Sequence, residues 1–409
     1  MPLADMKDDL PEAKGLGLGA ETSAVMGLRG PNDPDGRRWY RDLHIPIWVW
    51  LGADAVRLQA LLARLAVAQG PRTREDWLDT AVGLRPGNWI YEWNQEAARC
   101  QARGRELLVN DDRDGARASL LRAAHYYTIA SYPHIRGDRL AHEAMTLAVS
   151  CYREAGKLFP HPLKVLEVDV GGKPLPLHVH LPPQCDEAVP AVLLCGSGDQ
   201  LQTGFYRFFS SGLAAAGIAL ITLDMPGVGL SERWPMTEDY DHLYRAALEA
   251  VAANPQFDSR RLALLGVRLG GTAAVRAALT HSDLLRACVT IGAPVHDLYV
   301  DAAQISRLTP MVRDQLASRL RLDALAISGL SALLQPLSLV RQGLLGRRIL
   351  ELPLLAIGLA NDPVVSAADT ERIARSSRKG QQQEITGSLH ERLAQALASA
   401  CNYLSEQLR

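Results

Sequence analysis

From residue 164 onward, short apolar runs recur at 164–170, 176–181, 190–195, 218–223, 262–267, 287–292, 353–358 and 382–386. Between them, near 205–216, 238–253, 270–280, 365–377 and 391–407, apolar residues stand three and four apart. Short apolar runs bounded by turn residues predict buried strands, and the longer spacing predicts helices. Their alternation predicts an α/β domain over residues 161–409, a mostly parallel sheet with helices on both faces. Residues 297–350 show helical spacing and no strand, and they fall where a helical cap insertion would sit over a site. Upstream the period is helical throughout: 53–67, 74–82, 87–103, 112–130 and 139–158 predict five helices in an N-terminal or lid domain over 37–160. Residues 1–36 are rich in Gly, Pro and Asp and close on Gly30-Pro-Asn-Asp-Pro-Asp-Gly36, the composition of a flexible arm.

Composition narrows the function classes. An apolar fraction of 47%, a charged fraction of 22% and a net charge of -1 describe a globular chain without a surface for nucleic acid or anionic membrane. No apolar run approaches the roughly 18 to 20 residues of a membrane span, and the opening Met-Pro-Leu-Ala-Asp-Met-Lys-Asp-Asp has no basic region followed by an apolar one. The expectation is a soluble cytoplasmic protein with a small-molecule partner. The six cysteines, Cys100, Cys151, Cys185, Cys195, Cys288 and Cys401, are scattered without C-x-x-C or metal-like spacing, as expected of reduced thiols. No dinucleotide fingerprint or P-loop occurs either, so no nucleotide, flavin or metal cofactor is implied.

The chemistry concentrates at the predicted strand ends, where an open parallel sheet places its ligand crevice. Arg261-Leu-Ala-Leu-Leu-Gly-Val-Arg-Leu-Gly-Gly-Thr272 reads as a buried strand, a tight glycine turn and a small-residue helix start, the setting of the G-x-S-x-G nucleophile elbow. Arg268 stands where that motif has its serine. A guanidinium is not deprotonated in a protein and offers no lone pair for attack on a carbonyl, so acyl-enzyme chemistry at this position is excluded. After run 190–195 comes Gly196-Ser197-Gly198-Asp199, whose backbone N–H groups, with that of Leu269 beside the elbow position, fit an oxyanion hole; a plain tight turn is the alternative. After run 218–223 comes Asp224-Met-Pro-Gly-Val-Gly-Leu-Ser231, with Ser231 read as a turn or cap residue.

Asp362 follows run 353–358 and His390 follows run 382–386, in the chain order of an acid and a histidine behind an elbow. That pair is read as an acid/base dyad, with a helix-cap or surface histidine as the ordinary alternative. For Arg268 two readings stand: a cationic centre for a substrate carboxylate, enolate or phosphate, or a structural ion pair with an internal carboxylate such as Asp199 or Asp297. His296 is a second candidate proton carrier at a strand end. Trp89 and Trp93, four apart, predict a shared packing face, whereas Tyr127 and His134 are candidates for a lid's contribution to substrate shape.

Trp39-Tyr40 with Ile47-Trp-Val-Trp50, Gly87-Asn-Trp-Ile-Tyr-Glu-Trp93, Tyr132-Pro-His with Gly137-Asp138, Asp224-Met-Pro with Val228-Gly229, Gln342-Gly-Leu-Leu-Gly-Arg-Arg348 and Asn361-Asp-Pro363 carry a family signature. By these the chain resembles the FrsA family, the fermentation-respiration switch proteins of the α/β-hydrolase superfamily, over most of its length, and the arginine elbow resembles that family's own version. The resemblance implies an α/β-hydrolase domain behind a helical domain, often dimeric, with activities described as carboxylesterase or as cofactor-independent decarboxylation of a small 2-keto acid. It also implies, for some members, binding of the phosphocarrier protein of the sugar phosphotransferase system. The residues themselves favour noncovalent acid/base catalysis on a carbonyl- or carboxylate-bearing molecule: lyase, decarboxylase, cyclase or water-assisted hydrolase. A carboxylesterase and a non-catalytic regulatory protein are the rivals.

Overall fold

The computed structural model describes residues 37–322 and 329–409, except the side chains of Leu389 and His390. The predicted arm over 1–36 lies outside the described residues. By contact the described residues divide into two compact units, one of residues 37–162 with Thr309–Gln315, the other of Leu163–Leu308 and Leu316–Arg409.

The helical unit contains α1 (Ile45–Trp50), α2 (Ala55–Ala66), α3 (Trp89–Val109), α4 (Arg113–Ser131) and α5 (Arg139–Gly156). Four of the five begin on an Asp or Asn that accepts a backbone N–H three residues on: Asp54 from Arg57, Asn88 from Tyr91, Asp112 from Gly115 and Asp138 from Ala141. Each such cap satisfies a donor the helix cannot. The aromatic stretches form the core of this unit: Trp89 and Trp93 lie 5.6 Å apart and pack with Trp48 and Tyr126. The helix predicted over 74–82 is absent. Leu78 N donates to Arg38 O at 2.8 Å and Val82 N to Pro71 O at 2.9 Å, so this short segment is a series of turns held by isolated bridges to Arg38 and to residues 71–73, which outweigh its helical spacing.

The second unit holds an eight-stranded sheet of β1 (Lys164–Asp169), β2 (Pro174–His180), β3 (Val189–Cys195), β4 (Ala219–Leu223), β5 (Phe257–Val267), β6 (Ala287–Ile291), β7 (Leu354–Leu359) and β8 (Gly380–Ile385), ordered β1-β2-β4-β3-β5-β6-β7-β8. The β1–β2 and β2–β4 pairs are antiparallel and the other five are parallel. Every residue of β3, β4 and β6 is buried, which requires cover on both faces. That cover includes α6 (Tyr206–Phe208), continued by a π-helical turn to Leu213, α7 (His242–Ala253), α8 (Leu269–Thr280), α13 (Ala367–Arg375) and α14 (Leu389–Gln407). Between β6 and β7 run α9 (Asp297–Val300), α10 (Ala302–Arg307), α11 (Pro310–Arg319) and α12 (Leu330–Leu334), and no strand among the described residues. No described helix is long and apolar enough to cross a membrane. None of the six cysteines forms a disulfide, and four of them are buried.

Candidate functional site

β5 ends at Val267 and α8 begins at Leu269, so a single residue makes the turn between them. That residue is Arg268, at φ 53° and ψ -125°. A non-glycine residue there is strained, at a cost of about 1–3 kcal/mol, and persists only when its surroundings dictate the turn. They do so through close packing. A Cβ on Gly266 would lie 2.5 Å from Gly271 Cα, and one on Gly270 would lie 2.2 Å from Cys195 O and 2.3 Å from Gly196 O. The Gly270 clash also shows that the turn after β3 is pressed directly against the elbow. Arg268 N donates to Ile291 O at 3.0 Å, and Gly271 N closes the turn on Arg268 O at 2.8 Å.

The side chain of Arg268, 31% exposed, forms a close ion pair through Nη1 with Oδ2 of Asp362, which is 2% exposed. Oδ1 of Asp362 accepts from Val364 N at 2.9 Å and Val365 N at 3.2 Å. Both oxygens of the buried carboxylate are thereby engaged, one by a cation and one by two amides. Gly292, at φ 55°, leaves the room: a Cβ there would stand 3.1 Å from Arg268 Nη1.

The partner of Arg268 is thus neither Asp199 nor Asp297, the two carboxylates named from the sequence. Asp297 is taken by Arg372 Nη1 at 2.8 Å and Ser366 Oγ at 2.6 Å, and Asp199 acts on the guanidinium of Arg319. His390 stands in the first turn of α14, a helix opened by a reciprocal capping box between Ser388 and Glu391. Its side chain lies outside the described residues.

Gly196, Ser197 and Gly198 are buried beside the elbow, and Asp199 is half-buried. A Cβ on Gly198 would meet Leu269 Cδ1 at 3.3 Å, so the turn and Leu269 touch. Leu269 is the first residue of α8, a position whose N–H has no intrahelical acceptor. Arg319 joins this group without any motif to announce it. It is fully buried, and its Nη2 donates to Gly198 O at 2.8 Å. Burial holds its guanidinium down to about 10, against the fields of Asp199 and Glu232, so it remains a cation at neutral pH. The available signal was a basic residue in line with Met311 and Gln315 at four-residue spacing on the buried face of α11.

The remaining candidates are distributed elsewhere. His296 Nδ1 is hydrogen-bonded to Ser338 Oγ at 2.7 Å, and its backbone N–H donates to Asp369 Oδ2 at 3.2 Å. Asp369 also accepts from Val295 N at 3.0 Å and from Arg372 Nη1 at 2.6 Å; burial first raises its carboxyl, and these donors oppose that rise. Ser231 is fully buried in its turn, with its N–H on Val228 O at 2.8 Å. Asp224 accepts from Gln202 N at 2.6 Å and Leu230 N at 2.8 Å, and burial pushes its carboxyl up to about 6 against those two bonds. Tyr127 and His134 are buried in the helical unit, where Tyr127 Oη donates to Gln101 Oε1 at 3.3 Å and His134 Nδ1 is paired with Ser131 Oγ at 2.9 Å. Among the described residues, no three His, Cys, Asp or Glu side chains converge to hold a metal.

Over residues 6–409 the chain matches the family described as Esterase FrsA-like. It is 36% identical over 371 residues to Esterase FrsA of Photobacterium profundum, covering 90% of this chain and 88% of that one. To Esterase FrsA of Vibrio cholerae serotype O1 it is 38% identical over 387 residues, covering 94% and 92%. Among solved structures, 2,6-dihydroxy-pseudo-oxynicotine hydrolase superposes with a TM-score of 0.71 at 17% identity, covering 89% of this chain and 95% of its own. Wild-type AbyA5 superposes with a TM-score of 0.67 at 21% identity, covering 89% and 99%. At those identities the likeness is one of fold.

Proposed function

The chain belongs to the Esterase FrsA-like family and has the α/β-hydrolase fold, and from that premise we propose that it acts without a serine nucleophile, by noncovalent acid/base catalysis on a small molecule bearing a carbonyl or carboxylate. The observation that carries this reading is Arg268 in the strained elbow conformation, with its guanidinium clamped by Asp362. A residue that cannot attack occupies the attacking position. With Nη1 held by Asp362, the other guanidinium N–H groups supply fixed positive charge, and the N–H groups of Leu269 and of the Gly196–Asp199 turn supply further donors for a developing oxyanion. Each donor of this kind contributes about 10²- to 10³-fold in rate when aimed at the transition state. His390 is the proton carrier.

Ester hydrolysis, the activity in the relatives' names, fits the same site if water rather than a side chain attacks. A serine mechanism would need another residue, and the serines in the loops that follow β3 and β4, Ser197 and Ser231, are 8% and 0% exposed. The test combines turnover of p-nitrophenyl acetate with a fluorophosphonate serine probe. Turnover with no labelled serine is expected; stoichiometric labelling of Ser197 or Ser231 with loss of turnover overturns the proposal.

A further inference from the structure

Arg319 ends α11 fully buried, an uncommon place for a guanidinium. The structure accommodates it in detail. Gly227, at φ +81°, lies so close that a Cβ would stand 3.2 Å from Arg319 Cα and 3.3 Å from its carbonyl oxygen. That same carbonyl accepts Met236 N at 2.9 Å. On the other side, a Cβ on Gly198 would stand 3.9 Å from Arg319 Nε. The guanidinium donates through Nη2 to Gly198 O at 2.8 Å and through Nη1 to Ser318 Oγ at 3.3 Å. Taking a cation out of water costs several kcal/mol, and an apolar side chain of similar volume would fill the space at no such cost.

We propose that Arg319 is a positioning residue, holding the Gly198 carbonyl so that the N–H groups of the Gly196–Asp199 turn are offered to an anionic ligand oxygen; this rests on the reading of that turn as the oxyanion site. The physical reason is the planar trans peptide. A carbonyl oxygen left free at the turn would repel an oxyanion, whereas one bonded to a buried cation is neutralised. The N–H of Asp199, on the same peptide plane, then points the opposite way and is polarised by the bond behind it. The ligand class is a carboxylate or the oxyanion of a carbonyl adduct.

The experiment titrates sodium acetate into the full-length protein, following the backbone amide resonances of Ser197, Gly198, Asp199 and Leu269, in the wild type, Arg319→Met and Arg319→Lys. Wild type is expected to show saturable shifts at these amides, Arg319→Met to bind at least tenfold more weakly (about 1.4 kcal/mol), and Arg319→Lys to recover most of that loss. In acetate-free samples the Asp199 nitrogen moves upfield in Arg319→Met and returns partway in Arg319→Lys. A folded Arg319→Met variant that binds acetate like wild type overturns the proposal. So does a wild type whose turn amides ignore acetate, or a pair of variants that lose binding equally and in step with their melting temperatures. If Arg319→Met does not fold, the Asp199 amide and acetate affinity of Arg319→Lys decide. None of these readouts needs turnover, so serine labelling that overturned the catalytic reading would leave this one to be judged by binding.

Discussion

Removing one partner of the Arg268–Asp362 pair should have unequal consequences for the two partners. In Arg268→Met the carboxylate of Asp362, 2% exposed, keeps only the amides of Val364 and Val365. Stripping one partner from a buried pair costs about 3–5 kcal/mol because a charge is left uncompensated. Arg268 is 31% exposed, so water partly screens the pair and the expected loss falls to about 2–3 kcal/mol. In Asp362→Asn the orphan is instead the half-exposed guanidinium, which water can solvate, and the amide oxygen still accepts from the backbone; about 1 kcal/mol is expected.

The double variant should lie near Arg268→Met alone or recover part of its loss, giving a coupling above about 1 kcal/mol. Six of the seven tryptophans lie in the helical unit and only Trp234 in the sheet-bearing one. Intrinsic fluorescence would therefore miss the event, and native-state hydrogen exchange of β5, β6 and β7 is the suitable assay. Equal losses in the two single variants, or a coupling under about 0.5 kcal/mol, would refute the reasoning.

Three further outcomes follow from the same geometry. Arg268→Gly should be more stable than Arg268→Ala by about 1 kcal/mol in urea unfolding followed by circular dichroism, because both lose the ion pair but only glycine is at ease at φ 53°. Gly270→Ala should fail to fold or lose more than about 3 kcal/mol, read as loss of soluble, cooperatively melting protein, since its Cβ would lie 2.2 Å from a backbone oxygen. Asp224, raised from 3.8 to about 6 by burial, binds its proton more tightly folded than unfolded. Its contribution to stability is therefore full below about pH 4 and lost as pH rises through about 6, a change of about 3 kcal/mol. Asp224→Asn should remove that part of the pH dependence between pH 4 and 7, and an unchanged slope of hydrogen-exchange stability against pH would contradict it.

The central strands were legible because each is a nearly unbroken apolar run, and a run such as 190–195 has no other way to bury both faces, whereas the edge strand β8, Gly380-Gln-Gln-Gln-Glu-Ile385, is largely polar and was marked only by its place between two helical segments. The segment 74–82 misled for the opposite reason: Trp77, Leu78 and Ala81 have helical spacing, but pairing with Arg38 and the 71–73 segment decides a stretch this short. The elbow was legible too, since Gly266, Gly270 and Gly271 mark contacts that only glycine allows. What the linear pattern could not carry was the choice of partner. Arg268 had several acids to choose from in the sequence, and only the folded positions show that Asp297 is held by Ser366 and Arg372, that Asp199 lies in the field of Arg319, and that Asp362 is the partner. Arg319 escaped notice because a lone arginine in a helix looks solvated until its carbonyl partner, 121 residues away, is brought to it.

The two amides on Asp362 give the site an internal reporter. Val364 and Val365 donate to the very carboxylate that clamps Arg268, so the state of the guanidinium and the protection of those amides are thermodynamically linked. A ligand that draws Arg268 off Asp362 leaves the carboxylate leaning harder on these two bonds, whereas one that binds the outer face of a clamped arginine leaves them as they are. Exchange rates at 364 and 365 would then tell displacement from simple addition, for any candidate substrate, before a product has been identified.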